Sequence, residues 1–191
     1  MATVVNQFFE ERAEQLFSLA AIADQIFAAA GVDYQIVGGL AVYLYVEEAE
    51  PDAGRLTKDI DIAVRRKDLE KIGAAAERFG FTLRHVAGVD MLVRKDQPSA
   101  RRAVHLVFAG EKMRPEYLTA TPEVGAGLRI RGFRLAALAD LVRMKLTSFR
   151  AKDEAHINDM DEAGLITPEL EASLPPELFE RLRQARQRSR E

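Results

Sequence analysis

The stretch R55-L-T-K-D-I-D-I-A-V64 decides how the rest of the chain is read. Isoleucines, alanine and valine make it strand-like, yet two aspartates flank Ile60. Side chains alternate across a strand, so Asp59 and Asp61 share one face and Ile60 and Ile62 the other. The two carboxylates leave the backbone about 6.5 Å apart, twice the rise per residue. Carboxylates so placed repel unless a cation lies between them. Hard oxygen donors at that spacing suit Mg²⁺ or Mn²⁺. Read alone, D-x-D is equally compatible with a solvated edge strand that has one polar face.

The context upstream is more demanding. V32-D-Y-Q-I-V-G-G39 reads as a strand ending in two glycines, and L40-A-V-Y-L-Y-V46 as a helix starting there. Paired glycines let a backbone approach a ligand closely, and helix N-terminal amides favour phosphate. An ordinary tight turn is the plain alternative for Gly38 and Gly39.

The pattern spreads outward from these two motifs. Residues 6 to about 30 read as a helix, with Phe8, Phe9, Leu16, Leu19, Ile22, Ile26 and Phe27 at roughly helical spacing before Gly31. K67-D-L-E-K-I-G-A-A-A-E-R-F-G80 is an amphipathic helix closed by glycine. FTLRHV, MLVRK and AVHLVFA read as short strands, and EVGAGLRIRGFRLA as irregular or β structure. Residues 137–165 are helical and long enough for two helices. The end of the chain holds a proline-marked turn and a short basic helix. The expected fold is α+β: a mixed sheet flanked by helices, with an N-terminal helix and a helical C-terminal part. The divisions are 1–32, 33–134 and 135–191.

Composition narrows the class. The chain has 191 residues, no cysteine, and 27 basic against 30 acidic residues, a net charge of −3. Disulfides and thiolate metal sites are excluded, and a reducing cytoplasm is the expected location. MATVVNQFFEER lacks a basic segment and carries early glutamates, so no signal peptide is expected. QLFSLAAIA stops at Asp24, too short to span a membrane. The mild charge balance does not argue for a nucleic-acid coat.

Gly38-Gly39 followed by RLTKDIDIAV resembles the nucleotidyltransferase superfamily of the DNA polymerase β type, in its small bacterial minimal or toxin-like forms. LADLVRMKLTSFRAKDEAHINDM matches weakly a helix that such proteins carry after the sheet. The resemblance spans about residues 33–165. It implies that Gly38 and Gly39 help hold an NTP and that Asp59 and Asp61 bind divalent metal. A hydroxyl of a protein, tRNA or small molecule then attacks the α-phosphate. A toxin-like member would have an antitoxin partner.

The family usually carries a third acid on a later strand. Here that strand is R102-A-V-H-L-V-F-A-G110, and alternation puts His105 at the acidic position. A neutral imidazole is a poor Mg²⁺ ligand, Mn²⁺ tolerates nitrogen better, and a histidine is also a competent general base. A site that binds nucleotide without transferring it, or a partly buried structural histidine, are the alternatives. Asp90 would enter only if the strand register differed, and it reads as a turn residue. His85 is assigned no role.

Thr57, on the Asp59/Asp61 side, is a candidate nucleotide-binding residue, and Arg55, in the loop before it, a candidate to line the site. Projected on a helix, Leu138, Leu141, Val142, Leu146 and Phe149 form one arc, and Lys145 falls inside it. Lys145 either contacts the triphosphate or the aspartates, or snorkels to water. Asp153, His156 and Asp159 share a helix face that reads as solvated, with contact to nucleotide or acceptor the less supported alternative. Arg181, Arg183, Arg186, Arg188 and Arg190 read as a solvated helix end, with RNA contact the less supported alternative.

Overall fold

A computed structural model describes residues 2–99, 103–125 and 127–189, with side chains from residue 10 onward. The side chains of Phe8 and Phe9, and the whole of Arg190, lie outside the described residues.

A 29-residue helix, α1 (Ala2–Ala30), opens the chain. β1 (Gln35–Val37) runs directly into α2 (Gly38–Ala49), with no loop between them. β2 (Ile60–Val64) follows, then α3 (Leu69–Arg78) after one 3₁₀ turn. Next come β3 (Phe81–Val86), β4 (Val89–Arg94) and β5 (Val104–Phe108). A hairpin of β6 (Leu128–Ile130) and β7 (Phe133–Leu135) completes the sheet. α4 (Leu138–Ser148), α5 (Ala151–Glu162), α6 (Pro168–Ala172) and α7 (Pro176–Arg188) end the chain. The long helical segment is indeed two helices, broken where Phe149 takes a left-handed φ of 43°.

The seven strands lie in the order β3-β4-β5-β2-β1-β7-β6. β2 runs antiparallel to β1 and parallel to β5, which makes the sheet mixed. Ala87-Gly88 and Arg131-Gly132 close the two hairpins with both residues at positive φ, as the strand twist requires.

Alternation sorts the sheet into two unlike faces. Ile36, Ile60, Ile62, Val64, Leu92, Val104 and Leu135 are 0 % exposed and join the main core. α1 supplies Leu16, Ala20, Ala23, Ile26 and Phe27 to that core, and α3 supplies Ile72, Ala75 and Ala76. Burying each large side chain contributes about 1.5–3 kcal/mol. The other face is dressed thinly. Val37, Ala63, Val107, Val124 and Ala136 make one small cluster with Met144, and Met91, Val93 and Ala103 another. The polar residues of the strands emerge between these two clusters.

Leu141, Val142 and Leu146 are fully buried, with Leu138 and Phe149 packed on the same core, so the apolar arc of α4 stands as expected. No described helix is long and apolar enough to cross a membrane.

Candidate active site

The N-terminus of α2 and the start of β2 meet here. Val37 pairs with Asp61 in the antiparallel register, so the next residue, Gly38, turns over the aspartate. Gly38 has a φ of +70°, and a Cβ built on it would stand 2.1 Å from Asp61 Oδ2. A Cβ on Gly39 would stand 2.7 Å from Thr57 Oγ1. Both glycines are therefore required by close approach rather than by a solvent-exposed turn. They bring a carboxylate and a hydroxyl onto the first turn of a helix, where amide groups lack intrahelical partners and the dipole is positive. The strand begins at Ile60, three residues later than the sequence pattern that starts at Thr57, so Asp59 sits just before it and Thr57 in the loop. The Asp59 amide donates to Thr57 Oγ1 at 3.4 Å and ties that loop together.

β5 adds His105 beside Asp61, in direct parallel register. Its Nδ1 is 3.4 Å from Asp61 Oδ1, and both side chains keep a window to solvent. The histidine is thus the direct strand neighbour of Asp61, on the same face of the sheet. Asp90 does not replace it. It lies within β4, not in a turn, and its neighbour Met91 is the residue in register with His105. Alternation puts Asp90 on the opposite face, where it pairs with His85 at 3.0 Å.

Behind Asp61 stand α4 and α5. Lys145 does not snorkel: it is 5 % exposed and its Nζ pairs with Asp153 Oδ1 at 3.3 Å. Nor does it contact Asp59 or Asp61 directly, although the Asp61 charge acts on it across the site. Burial lowers the pKa of the ammonium, and the two carboxylates pull it back up. Asp153 is wholly buried and also accepts from Ser148 Oγ at 2.8 Å and Arg150 Nε at 2.6 Å. Burial pushes its pKa up, but Arg150, Lys145 and Ser148 together hold it at about 2. Arg150 also feels the Asp61 charge.

The face carrying Asp153, His156 and Asp159 is turned inward, not solvated. His156 Cε1 lies 3.5 Å from the Cβ position of Gly39, and its Nδ1 is buried without a hydrogen-bond partner. Burial, with the Lys145 charge adding to it, depresses the imidazole to about 4, so the ring is neutral. Asp159 is paired with Arg55 Nε at 2.9 Å, which clips the loop before β2 to α5. Ile157 and Met160, both fully buried, were the signal in the sequence. The open side of α5 is the arc of Ala151, Glu154, Ala155, Asn158 and Glu162, which leaves the Asp153 face for the interior. Arg150 and the buried role of Asp153 were missed along with that face.

The basic tail is a solvated end only in part, with Arg183 and Arg188 exposed. Leu178, Leu182 and Ala185 anchor α7 in the core. Arg181 donates to the carbonyls of Leu146 and Thr147 at 2.8 and 2.7 Å, Arg186 pairs with Asp161 and Glu171, and Arg188 with Glu154.

Asp59 and Asp61 are the oxygen donors available to a cation. The described residues hold no cluster of three ligating His, Cys, Asp or Glu side chains. That donor set fits Mg²⁺, which is commonly bound through one or two carboxylates, waters and substrate phosphates rather than in an all-protein cage.

The fold is nucleotidyltransferase-like. The chain is similar to an antigenic nucleotidyltransferase-like protein from Paracoccidioides brasiliensis, at 17 % identity over 92 % of this chain and 88 % of that one, with a TM-score of 0.52. It is also similar to the antibiotic-resistance factor ANT(2'')-Ia in its solution structure, at 16 % identity over 90 % of this chain and 84 % of that one (TM-score 0.45). Similarity to the polyadenylate synthase of Megavirus is lower, at 11 % identity over 86 % of this chain and 34 % of that one (TM-score 0.38). No family model and no curated protein matches the sequence.

Proposed function

We propose that the chain is a metal-dependent nucleotidyltransferase that moves a nucleoside monophosphate from an NTP to a hydroxyl acceptor. The observation that carries this is the seat of Asp61 on Gly38. A carboxylate 2.1 Å from a missing Cβ, at a helix N-terminus, joins a cation-binding group to a phosphate-binding one. Gly38, Gly39 and Thr57 receive the triphosphate, and Asp59 and Asp61 hold Mg²⁺ or Mn²⁺. The bound cation neutralises phosphoryl oxygens as charge develops on them. Lys145, kept in place by Asp153, adds positive potential behind Asp61 for the leaving pyrophosphate. His105, oriented by Asp61, takes the proton from the acceptor hydroxyl as its oxygen attacks the α-phosphate and the α–β bridge breaks. The acceptor is on a protein, a tRNA or a small molecule. A toxin-like role with an antitoxin partner belongs to the same proposal.

The test is label transfer. The pure protein is incubated with each α-phosphate-labelled NTP, Mg²⁺ or Mn²⁺, and a lysate containing RNA and protein, beside Asp61→Asn. A labelled product that needs Asp61 supports the proposal. Metal-dependent nucleotide binding that survives Asp61→Asn refutes the two-carboxylate site.

His105 favours a second reading, a relative that binds nucleotide but no longer transfers it. Under that reading His105→Asp restores an oxygen donor, and transfer rises from background. No gain with either metal removes the lost-ligand explanation. A module that binds RNA or a partner on the same fold is the remaining alternative; its binding would ignore Asp59.

A further inference from the structure

The thinly dressed face of the sheet carries a second polar feature, away from Gly38 and Asp61. Arg65, Arg129 and Arg134 line an open cleft of about 500 Å³ together with Asp33. Strand alternation places them. Leu135 pairs with Ile36 on the core face, so Arg134 points to the opposite side, and Arg129 is its direct partner across the hairpin. Arg65 continues β2 in extended conformation, four residues beyond Asp61, which is about 13 Å at the strand rise. The cleft and the candidate active site therefore share one face of one sheet.

Three arginines and one aspartate line the cleft in a chain whose net charge is −3, so the local balance runs against the whole molecule; Arg129 donates to the Gly132 carbonyl at 2.7 Å. Asp33 bridges Arg65 and Arg134, with both nitrogens 3.2 Å from its oxygens. The two planar forks thus lie within one carboxylate's reach of each other, in a surface open to solvent. Charged residues on an edge strand commonly guard the edge against pairing. That accounts for Arg129 on β6 but not for Arg134 on the inner strand β7, or for Arg65 beyond the central strand β2. The side chains of Arg134 and Arg65 are only 27 % and 34 % exposed. Partly desolvated, neighbouring guanidinium groups match the geometry of a phosphate.

We propose that this cleft binds a phosphate group of the acceptor, and hence that the acceptor is a phosphorylated, anionic molecule rather than a polycation. The proposal deepens, and rests on, the nucleotidyl-transfer function above. An RNA strand and a small phosphorylated acceptor present the same chemistry, and the two are told apart by the probes.

The experiment is a binding titration without divalent metal. A fluorescein-labelled 12-nucleotide single-stranded RNA and inorganic phosphate are each titrated into the parent protein, Arg129→Gln/Arg134→Gln, Asp33→Asn and Asp61→Asn. If the acceptor is RNA, the double variant loses at least tenfold in RNA affinity, and its log K against log[salt] slope becomes shallower by about 1.4, the value for two phosphate contacts to a single strand. If the acceptor is small, the loss is seen with inorganic phosphate and the RNA does not bind. Either outcome supports the cleft. Asp33→Asn removes the one opposing charge and tightens binding severalfold, an effect that misfolding would not produce. Arg129→Gln/Arg134→Gln keeps metal-dependent Mg-NTP binding while losing the probes, and Asp61→Asn fails in label transfer, so loss of the cleft and loss of the catalytic reading are seen separately. Equal binding by parent and double variant, no binding of either probe by the parent, or weaker binding by Asp33→Asn overturns the proposal.

Discussion

Replacing Gly38 by alanine tests the link between fold and site most directly. Two costs arise, and a second glycine separates them. Gly31 and Gly38 have nearly the same backbone, at φ +63° and +70°, but a Cβ on Gly31 meets nothing within 4 Å. Gly31→Ala therefore carries the left-handed strain alone, about 1–2 kcal/mol. In a domain of this size that lowers Tm by roughly 2–4 °C per kcal/mol. Gly38→Ala carries the same strain and also strikes Asp61. Ordinary contact begins near 3.4 Å, so Asp61 Oδ2 must retreat about 1.3 Å from its present 2.1 Å. A misplacement of about 1 Å in a positioned group costs up to 10²-fold in rate. The expected result is that both variants lose stability, that Gly31→Ala binds and transfers nucleotide like the parent, and that Gly38→Ala loses roughly 100-fold in transfer. Urea denaturation measures the first effect, and calorimetric Mg-NTP binding with the label-transfer assay measures the second. If the two variants prove equal in nucleotide binding and transfer, the glycine is there for the turn alone and the proposed cradle is wrong.

Three other perturbations probe the layers behind it. Lys145→Met leaves buried Asp153 with Arg150 and Ser148 only, and should cost about 3 kcal/mol in urea denaturation, the low end for breaking a buried pair; Lys145→Met/Asp153→Leu should recover part of that loss, and a neutral single variant would show the pair to be idle. His156 stays neutral in the folded protein down to about pH 4, whereas the unfolded chain protonates it near 6.5. The unfolded state binds more protons between those values, so stability is full above pH 6.5 and falls as the pH drops toward 4, by on the order of 2 kcal/mol once partial exposure is allowed for. Burial pushes Asp159 the other way, so the comparison with His156→Leu, whose stability should be flatter over that window, isolates the histidine; an unchanged slope would refute the assignment. Arg181→Ala removes two hydrogen bonds to the last turn of α4 and a cation–π contact 5.5 Å from the centre of the Phe149 ring, and should cost about 1–3 kcal/mol in stability. It should leave RNA affinity unchanged; a drop in that affinity would return the tail to the nucleic-acid reading.

What was legible in the sequence follows from local rules. Alternation over Asp59–Val64 separates Asp61 from Ile60 and Ile62 whatever the strand packs against, because the period of two is a property of the backbone. The glycines that open α2 mark a helix start for a reason equally local. The fold class and the α4 arc were readable on the same grounds. The orientation of a polar face is not local. Asp153, His156 and Asp159 share a face by helix geometry alone, but whether that face meets water or α2 depends on where α5 packs. The same holds for Lys145, whose partner is eight residues away and across a helix break, and for Asp90, whose side of the sheet depends on the β4–β5 register. Arg65, Arg129 and Arg134 are up to 69 residues apart in the chain. Only the sheet order brings them to one cleft, and no spacing rule could anticipate it. The sequence by itself marked the strands and helices, since each rests on neighbours along the backbone, whereas the meeting of Gly38 with Asp61 needs the β1–β2 register. Tertiary structure alone decided which charges are buried together, because burial depends on elements far apart in the chain.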